Sequence, residues 1–501
     1  MSCETRAPNL LFIMTDQQRF DALSCHNGVA RTPNLDALAA QGADLRKHYS
    51  QAPVCVPSRC TIFSGRYPHS TNVLENFVRY PSGEDHLFSI LKEAGYHLSY
   101  FGKNHLLEDD EFRANLNVFE TFSEHSDDSQ RKAYQELEER SLQRLESIGS
   151  YASSEYHDFP DMATTSGLIA TSVATAIRVA PHDRPWSITA SFYDPHVPHL
   201  APKRFEKEYP PKDIQIPINP NENLKDKAPR VALKQEAQGA LRASLQEKRL
   251  YSSVYYSMCS YVDELIGDII EELGKREDAE NTIIVFLSDH GDFNWDHGLC
   301  KKDLLLYESL LHVPCIISWP GKIPPQVVDK TFTEHADIVP TLLELASIPR
   351  PPTIQGKSMV PLLEQQTASH RKSTHAEVCY PDMRNPFSTY PEFIDALNDA
   401  KKNGDPLGQS TSFNIPGDYT KSIRTEDWTY IWYGNGYEEL YDANNDPKEE
   451  RNLASEPTEE TRLLCQKLRL ELFDWFLHTA PVARKSVPSK TRNSSNSWIH
   501  P

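Results

Sequence analysis

The chain has 501 residues, 39% of them hydrophobic and 10% aromatic, enough for one large domain and a smaller one around substantial cores. Its 52 basic and 71 acidic residues leave a net charge of −19, which excludes nucleic acid and anionic membrane surfaces as general partners. An anionic substrate must therefore be met locally, by a few well-placed Lys, Arg and His side chains.

In chain order, Leu10–Met14 is an apolar run that ends in Asp16-Gln17 and reads as a buried strand. The run is too short for a signal-peptide core or a membrane span, so a cytoplasmic location is expected, or a periplasmic or secreted one if a leader was removed. Asn34–Ala40 is a helix with Pro33 in its first turn and Gly42 past its end. Next comes Cys55-Val-Pro-Ser-Arg59. Pro57 fixes its own φ and biases Val56 toward an extended shape, so Cys55 is expected on a shaped loop at the head of a short helix. There the free N–H groups and the dipole favour an anion, and Arg59 adds a planar charged fork.

Phe88–Ala94 reads as a helix, and His97–Phe101 as a strand delivering Lys103 and His105. Residues 106–160 are acidic and helix-rich, with Gln130–Leu145 the clearest helix, and look like an insertion. Trp186–Phe192 is a strand that exits into Pro195-His196-Val197-Pro198-His199; the Pro- and Lys-rich stretch 200–250 then makes a long surface excursion. Val262, Leu265, Ile266, Ile269, Ile270 and Leu273 form a helical stripe stopped by Gly274. Thr282–Leu287 is a continuous apolar run of the kind buried on both faces, ending in Asp289-His290. Val313–Trp319 is a further strand, and Ile338–Leu345 a helix.

Strands alternating with helices predict an α/β fold, a large mostly parallel sheet sandwiched by helices over residues 1–370. From 371 to 501 a smaller α+β domain with an antiparallel sheet is expected. Its signals are the aromatic hairpin Trp428–Tyr433 and Tyr437–Tyr441 across Gly434-Asn435-Gly436, then the helix Thr461–Leu477 and a frayed tail. In parallel sheets the ligand site lies beyond the carboxyl ends of the strands. The strand ends here deliver Asp16-Gln17, Lys103 with His105, His196, and Asp289-His290.

The oxygen-rich set Asp16, Gln17, Asp289 and His290, joined by Cys55, suits a hard divalent cation, Ca2+ with Mg2+ or Mn2+ as alternatives. Too few histidines adjoin carboxylates for a dinuclear zinc centre. His105 and His196 are acid–base candidates. Lys103 and Lys302 are candidate anion contacts, and His199 a weaker substrate contact; Asp21, Arg66 and His297 are supporting candidates. No Gly-x-Ser-x-Gly elbow, Walker loop or G-x-G-x-x-G fingerprint follows a strand. The nine cysteines show no Cys-x-x-Cys pair, so a reduced compartment is expected.

At this point the chain resembles the formylglycine-dependent (type I) sulfatases of the alkaline-phosphatase-like superfamily, from about Pro8 to Asn452. The resemblance is carried by Leu-Phe-Ile-Met-Thr-Asp16-Gln17, Thr32-Pro-Asn-Leu-Asp36, Cys55-Val-Pro-Ser-Arg59, Gly102-Lys103-Asn-His105 and Pro195-His196-Val-Pro198. Further along lie Ser288-Asp289-His290-Gly291, His297-Gly-Leu299 up to Lys302, Asp337-Ile-Val-Pro-Thr-Leu-Leu343, Arg424-Thr-Glu426 and Glu439-Leu-Tyr-Asp442 through Asp446-Pro447. It implies that a formylglycine-generating maturation enzyme oxidises Cys55 and that the hydrated aldehyde is the nucleophile. It also implies a calcium ion on Asp16, Gln17, Asp289, His290 and the modified Cys55. By the same resemblance Arg59 orients the nucleophile, Lys103 and Lys302 neutralise sulfate oxygens, His105 acts as base, and His196 protonates the leaving oxygen, alone or with Lys302. The implied substrate is a sulfated carbohydrate or other small sulfate ester.

The family pattern often has a second Asp where this chain has Gln17, and the Gln variant also occurs in related phosphonate monoester hydrolases and phosphodiesterases. Sulfate ester hydrolysis, favoured by Ser58 and Lys302, and phosphonate monoester or phosphodiester hydrolysis both stay open here. A non-catalytic binding module would lack Cys, Arg or metal ligands, and none is missing. Specificity is expected in the insertions near 106–160, 200–250 and 380–415.

Overall fold

A computed structural model describes residues 6–122, 128–217, 224–379 and 419–480. The expected specificity segment over 380–415 and almost all of the tail lie outside these residues. The core is an 8-stranded sheet whose strands lie in the order Gln326–Val328, Ala43–Leu45, Cys315–Ser318, Thr282–Ser288, Asn9–Thr15, Trp186–Ser191, His97–Gly102 and Val118–Glu120. Every neighbouring pair is parallel except the two that involve Cys315–Ser318, which runs against both of its neighbours. The strand read over Val313–Trp319 is therefore a shorter, antiparallel one. Its register, Cys315 opposite Leu287 and Ser318 opposite Ile284, reverses the chain against the strand before it.

The central strands read as unbroken apolar runs because both faces are covered. Along Asn9–Thr15, Leu10, Phe12 and Met14 join one core and Leu11 and Ile13 the other, the period of two that a pleated strand imposes. The first core packs under the helices Cys55–Ser64, Leu87–Glu93 and Ile338–Leu345, the second under Pro33–Gln41, Thr165–Val179 and Leu245–Gly274. Each of Leu11, Phe12, Ile13, Val285, Phe286 and Leu287 is wholly buried, worth about 1.5–3 kcal/mol per side chain. The stripe helix is longer than its apolar pattern, spanning Leu245–Gly274, because a capping box at Ser244 and Glu247 starts it earlier.

Ser373–Cys379, Tyr419–Thr425, Trp428–Tyr433 and Glu438–Asp442 form a separate, wholly antiparallel 4-stranded sheet. One face, with Ile431 and Tyr433, packs on Phe293, Leu305 and Tyr307 of the large domain. The other carries the helix Glu459–His478 through Cys465, Leu468, Leu472 and Trp475. No described helix is long and apolar enough to cross a membrane. The eight described cysteines are all free.

Candidate active site

Thr282–Ser288, Asn9–Thr15, Trp186–Ser191 and His97–Gly102 are consecutive parallel strands, so their carboxyl ends open on one edge of the sheet. That edge receives Asp289-His290, Asp16-Gln17, His196 and Lys103. The close approach at Gly102 is obligatory: φ is +103°, and a Cβ there would lie 1.9 Å from the carbonyl oxygen of Ser191. Lys103 then donates its own N–H to that carbonyl at 3.0 Å, which fixes the outset of its side chain.

Cys55 enters from the helix Cys55–Ser64, which closes on Gly65 in the left-handed region. The expectation of an extended Val56 and a loop cysteine is corrected here. Val54 is the extended residue, Cys55 opens the helix, and Pro57 sits in the first turn, where its missing N–H has no intrahelical acceptor to lose. The thiol thus sits at the N-terminal, positive end of the helix dipole.

Lys302 Nζ lies 2.7 Å from Cys55 Sγ, His290 Nε2 3.3 Å and Lys103 Nζ 3.6 Å. Burial and the Asp16 carboxylate oppose a thiolate at Cys55; Lys103, Lys302 and His290 outweigh them and hold the thiol well below its ordinary value. Arg59 is completely buried and uses its fork throughout. Nε reaches Asp289 Oδ2 at 2.8 Å, Nη2 reaches Asp16 Oδ2 at 2.9 Å, and Nη1 donates to the Lys103 carbonyl and to Ser191 Oγ. Lys103 Nζ makes a second contact with Asp16 Oδ2 at 2.7 Å. Burial works to raise Asp16, and Lys103, Lys302, His196 and Arg59 bring it well below the usual carboxylate range. Asp289 moves the other way, up to about 6, through burial and then the nearby Asp16 charge.

His196 Nδ1 lies 2.5 Å from the Val197 carbonyl, which only accepts, so Nδ1 carries the proton and Nε2 is left toward the cavity. Burial, then Lys302 and Lys103, push this ring down to about 4. His105, at φ +74°, is also lowered by burial, and its buried Nδ1 has no partner. Both rings interact with Cys55.

The residues fit a divalent cation. The ligand atoms of Asp16, Cys55, Asp289 and His290 lie within 4.8 Å of one another, all buried. Gln17 stands beside them, its backbone N–H donating to Asp289 Oδ1 at 3.1 Å and its buried Oε1 without a partner. Two carboxylates, an imidazole and a spare amide oxygen make a hard-ion donor set.

A cavity of about 530 Å³ opens over Cys55, Lys103, His105, His196 and Lys302. Its far wall comes from the helix Ser129–Ser147, through Tyr134, Glu138 and Leu142, so the acidic insertion faces the site. Asp194 joins the lining; burial raises its carboxyl to about 7 despite a bond from Ser166 Oγ. His199 is absent from the cavity wall. It is buried against Tyr251, with ring centroids 4.3 Å apart. Asp21 is exposed and paired with Arg19, Arg66 with Glu84, and His297 packs on Tyr307, so none of these touches the cluster. Ser191, Asp194 and Asp292 do not stand out in the sequence. They act through partners far along the chain, and only the Asp292 position, two residues past His290, carries a local hint.

The family model described as Sulfatase matches residues 8–348. The choline-sulfatase of Rhizobium meliloti (strain 1021) is 26% identical over 473 residues, covering 90% of this chain and 83% of that protein. Among solved structures, the phosphonate monoester hydrolase of Agrobacterium radiobacter aligns with a TM-score of 0.71 at 21% identity, over 94% of this chain and 96% of that one. An enzyme solved with its substrate D-glucosamine-2-N,6-O-disulfate aligns with a TM-score of 0.71 at 20% identity, over 95% and 98%.

Proposed function

The chain belongs to the sulfatase family, and on that footing we propose that it is a sulfuric ester hydrolase acting on a sulfated carbohydrate or other small sulfate ester. The observation that carries this reading is the convergence of Lys103, Lys302, His105 and His196 on Cys55 beneath one cavity. Conversion of Cys55 to formylglycine would supply, as its hydrate, an oxygen nucleophile at the head of the helix Cys55–Ser64. A divalent cation, Ca2+ first and Mg2+ or Mn2+ as alternatives, held by Asp16, Gln17, Asp289, His290 and residue 55, would supply Lewis-acid polarisation there.

The chain's own side chains account for the rest. Lys103 and Lys302 hold two ammonium groups beside Cys55 that can take up a sulfate's oxygens, offsetting the −19 charge of the protein locally. Arg59, locked by Asp16 and Asp289, holds the nucleophile helix against the strand ends. His196, neutral while the cavity is empty of anions, gains a favourable partner for its charged form when a sulfate arrives. It then protonates the leaving oxygen together with Lys302. His105, kept neutral by burial, is the base that returns residue 55 to its starting state.

Gln17 favours a second reading, a phosphonate monoester or phosphodiester hydrolase, because a neutral oxygen replaces one carboxylate of the metal set. The two are separated by kcat/KM on matched 4-nitrophenyl esters of sulfate, phenylphosphonate and phosphodiester. The sulfate ester is expected to be turned over fastest; equal or faster turnover of a phosphorus ester overturns the choice.

A further inference from the structure

The carboxamide of Gln17 has a donor end and an acceptor end, and only one of them has a partner. Nε2 donates to Asp292 Oδ2 at 2.6 Å, while Oε1 is buried and unpartnered. Gln17 is otherwise pinned: its N–H donates to Asp289 Oδ1, Tyr255 donates to its carbonyl at 2.9 Å, and its φ is +73°. Asp292 is pinned as well. It is fully buried and accepts from the Asn294 N–H at 2.6 Å and from the Tyr251 hydroxyl at 3.0 Å.

We propose that Asp292 is a positioning residue for the cation, selecting the amide orientation in which Gln17 Oε1, not Nε2, faces the ligand set. A carboxylate held by two other donors can only accept, so it takes the NH2 end of the amide and leaves the oxygen for the ion. Residues 17 and 292 then form a matched pair. A carboxylate of the same length, as in Gln17→Glu, would set two buried carboxylates against each other at the present 2.6 Å contact, so the neutral ligand at 17 and the acid at 292 require one another. This inference rests on the reading of Asp16, Gln17, Cys55, Asp289 and His290 as the cation's ligands.

The test is a double-mutant cycle on the chelator-stripped full-length protein, read as Ca2+ affinity by calorimetry and by terbium luminescence, without reference to turnover. Asp292→Asn lets the amide turn either way and is expected to weaken Ca2+ binding about 10–100-fold. Gln17→Glu alone is expected to bind more weakly than the wild type. Gln17→Glu with Asp292→Asn is expected to regain wild-type affinity or better, because the amide introduced at position 292 donates to the new carboxylate and frees its second oxygen for the ion. A purely structural Asp292 would lower the melting temperature of the stripped protein and leave the Ca2+ affinities of all variants alike, which overturns the pairing. Failure of the double variant to recover affinity overturns it too. A wild type that binds no divalent cation removes the ligand-set reading itself, and the pairing with it.

Discussion

Lys302 Nζ lies 2.7 Å from Cys55 Sγ, a contact made across 247 residues of sequence. The loop after the strand Thr282–Ser288 makes it possible: Phe293 donates its N–H to the Lys301 carbonyl, which folds the segment back over the strand end. Truncation by Lys302→Ala is expected to lower kcat/KM on an aryl sulfate about 10²–10³-fold, the usual cost of one preorganised charge at a reacting centre. Lys302→Arg should not restore it, because a planar fork does not fit a point contact of this kind. Wild-type turnover in Lys302→Ala would remove this residue from the chemistry.

The acid assigned to His196 makes a leaving-group prediction. With a good leaving group such as 4-nitrophenolate, little protonation is needed; with an alkyl alcohol it is. His196→Ala should therefore cost about 10²–10⁴-fold on an alkyl sulfate and clearly less on the nitrophenyl ester. Equal losses on both, measured as kcat/KM, would transfer the role to Lys302.

Arg59 should matter to folding as well as to activity. It is a buried cation bonded to Asp16 and Asp289, and its removal strips Asp289 of its guanidinium partner and leaves Asp16 to Lys103 and Lys302. Arg59→Ala is expected to cost about 3–5 kcal/mol in urea unfolding of the metal-free protein, with saturating cation recovering part of that loss. A change within about 0.5 kcal/mol, the range of ordinary surface substitutions, would contradict the role given to this fork.

Asp194 gives a pH signature. Its folded-state carboxyl is raised to about 7 from an unfolded value of 3.8, chiefly by burial. Between those limits the folded state binds more protons than the unfolded one, so this group lowers stability as pH rises through that window and contributes no further change above it. Asp194→Asn, which still accepts from Ser166, should exceed the wild type in stability at pH 8 by roughly 1–2 kcal/mol, after allowing for the partial exposure of the site to solvent. The gap should close toward pH 4; a gap that widens on acidification would be the wrong sign.

Much of the site is legible in the sequence because strand ends in a parallel sheet carry the chemistry. Leu10–Met14 and Thr282–Leu287 read as buried strands from their unbroken apolar runs, and that alone brings Asp16 and Asp289 to one edge. The direction of Cys315–Ser318 is not legible, since four residues buried on both faces look the same in either sense. His199, in sequence only a weaker substrate-contact candidate, is turned inward onto Tyr251. The Gln17–Asp292 bond spans 275 residues, and beyond the place of Asp292 two residues past His290 nothing local announces the pairing. The role of the Ser129–Ser147 helix as cavity wall is hidden for the same reason. Its acidic, helix-forming composition predicts the helix, not that Tyr134, Glu138 and Leu142 line a cavity over Cys55.

The central claim is that residue 55 works as an oxygen nucleophile made from cysteine. The most direct measurement is the mass of the peptide containing Cys55, taken from enzyme that is turning over a sulfate ester. The account expects the aldehyde or its hydrate at residue 55, in a fraction that tracks specific activity across preparations. Full activity from protein whose Cys55 is uniformly an unmodified thiol would contradict it.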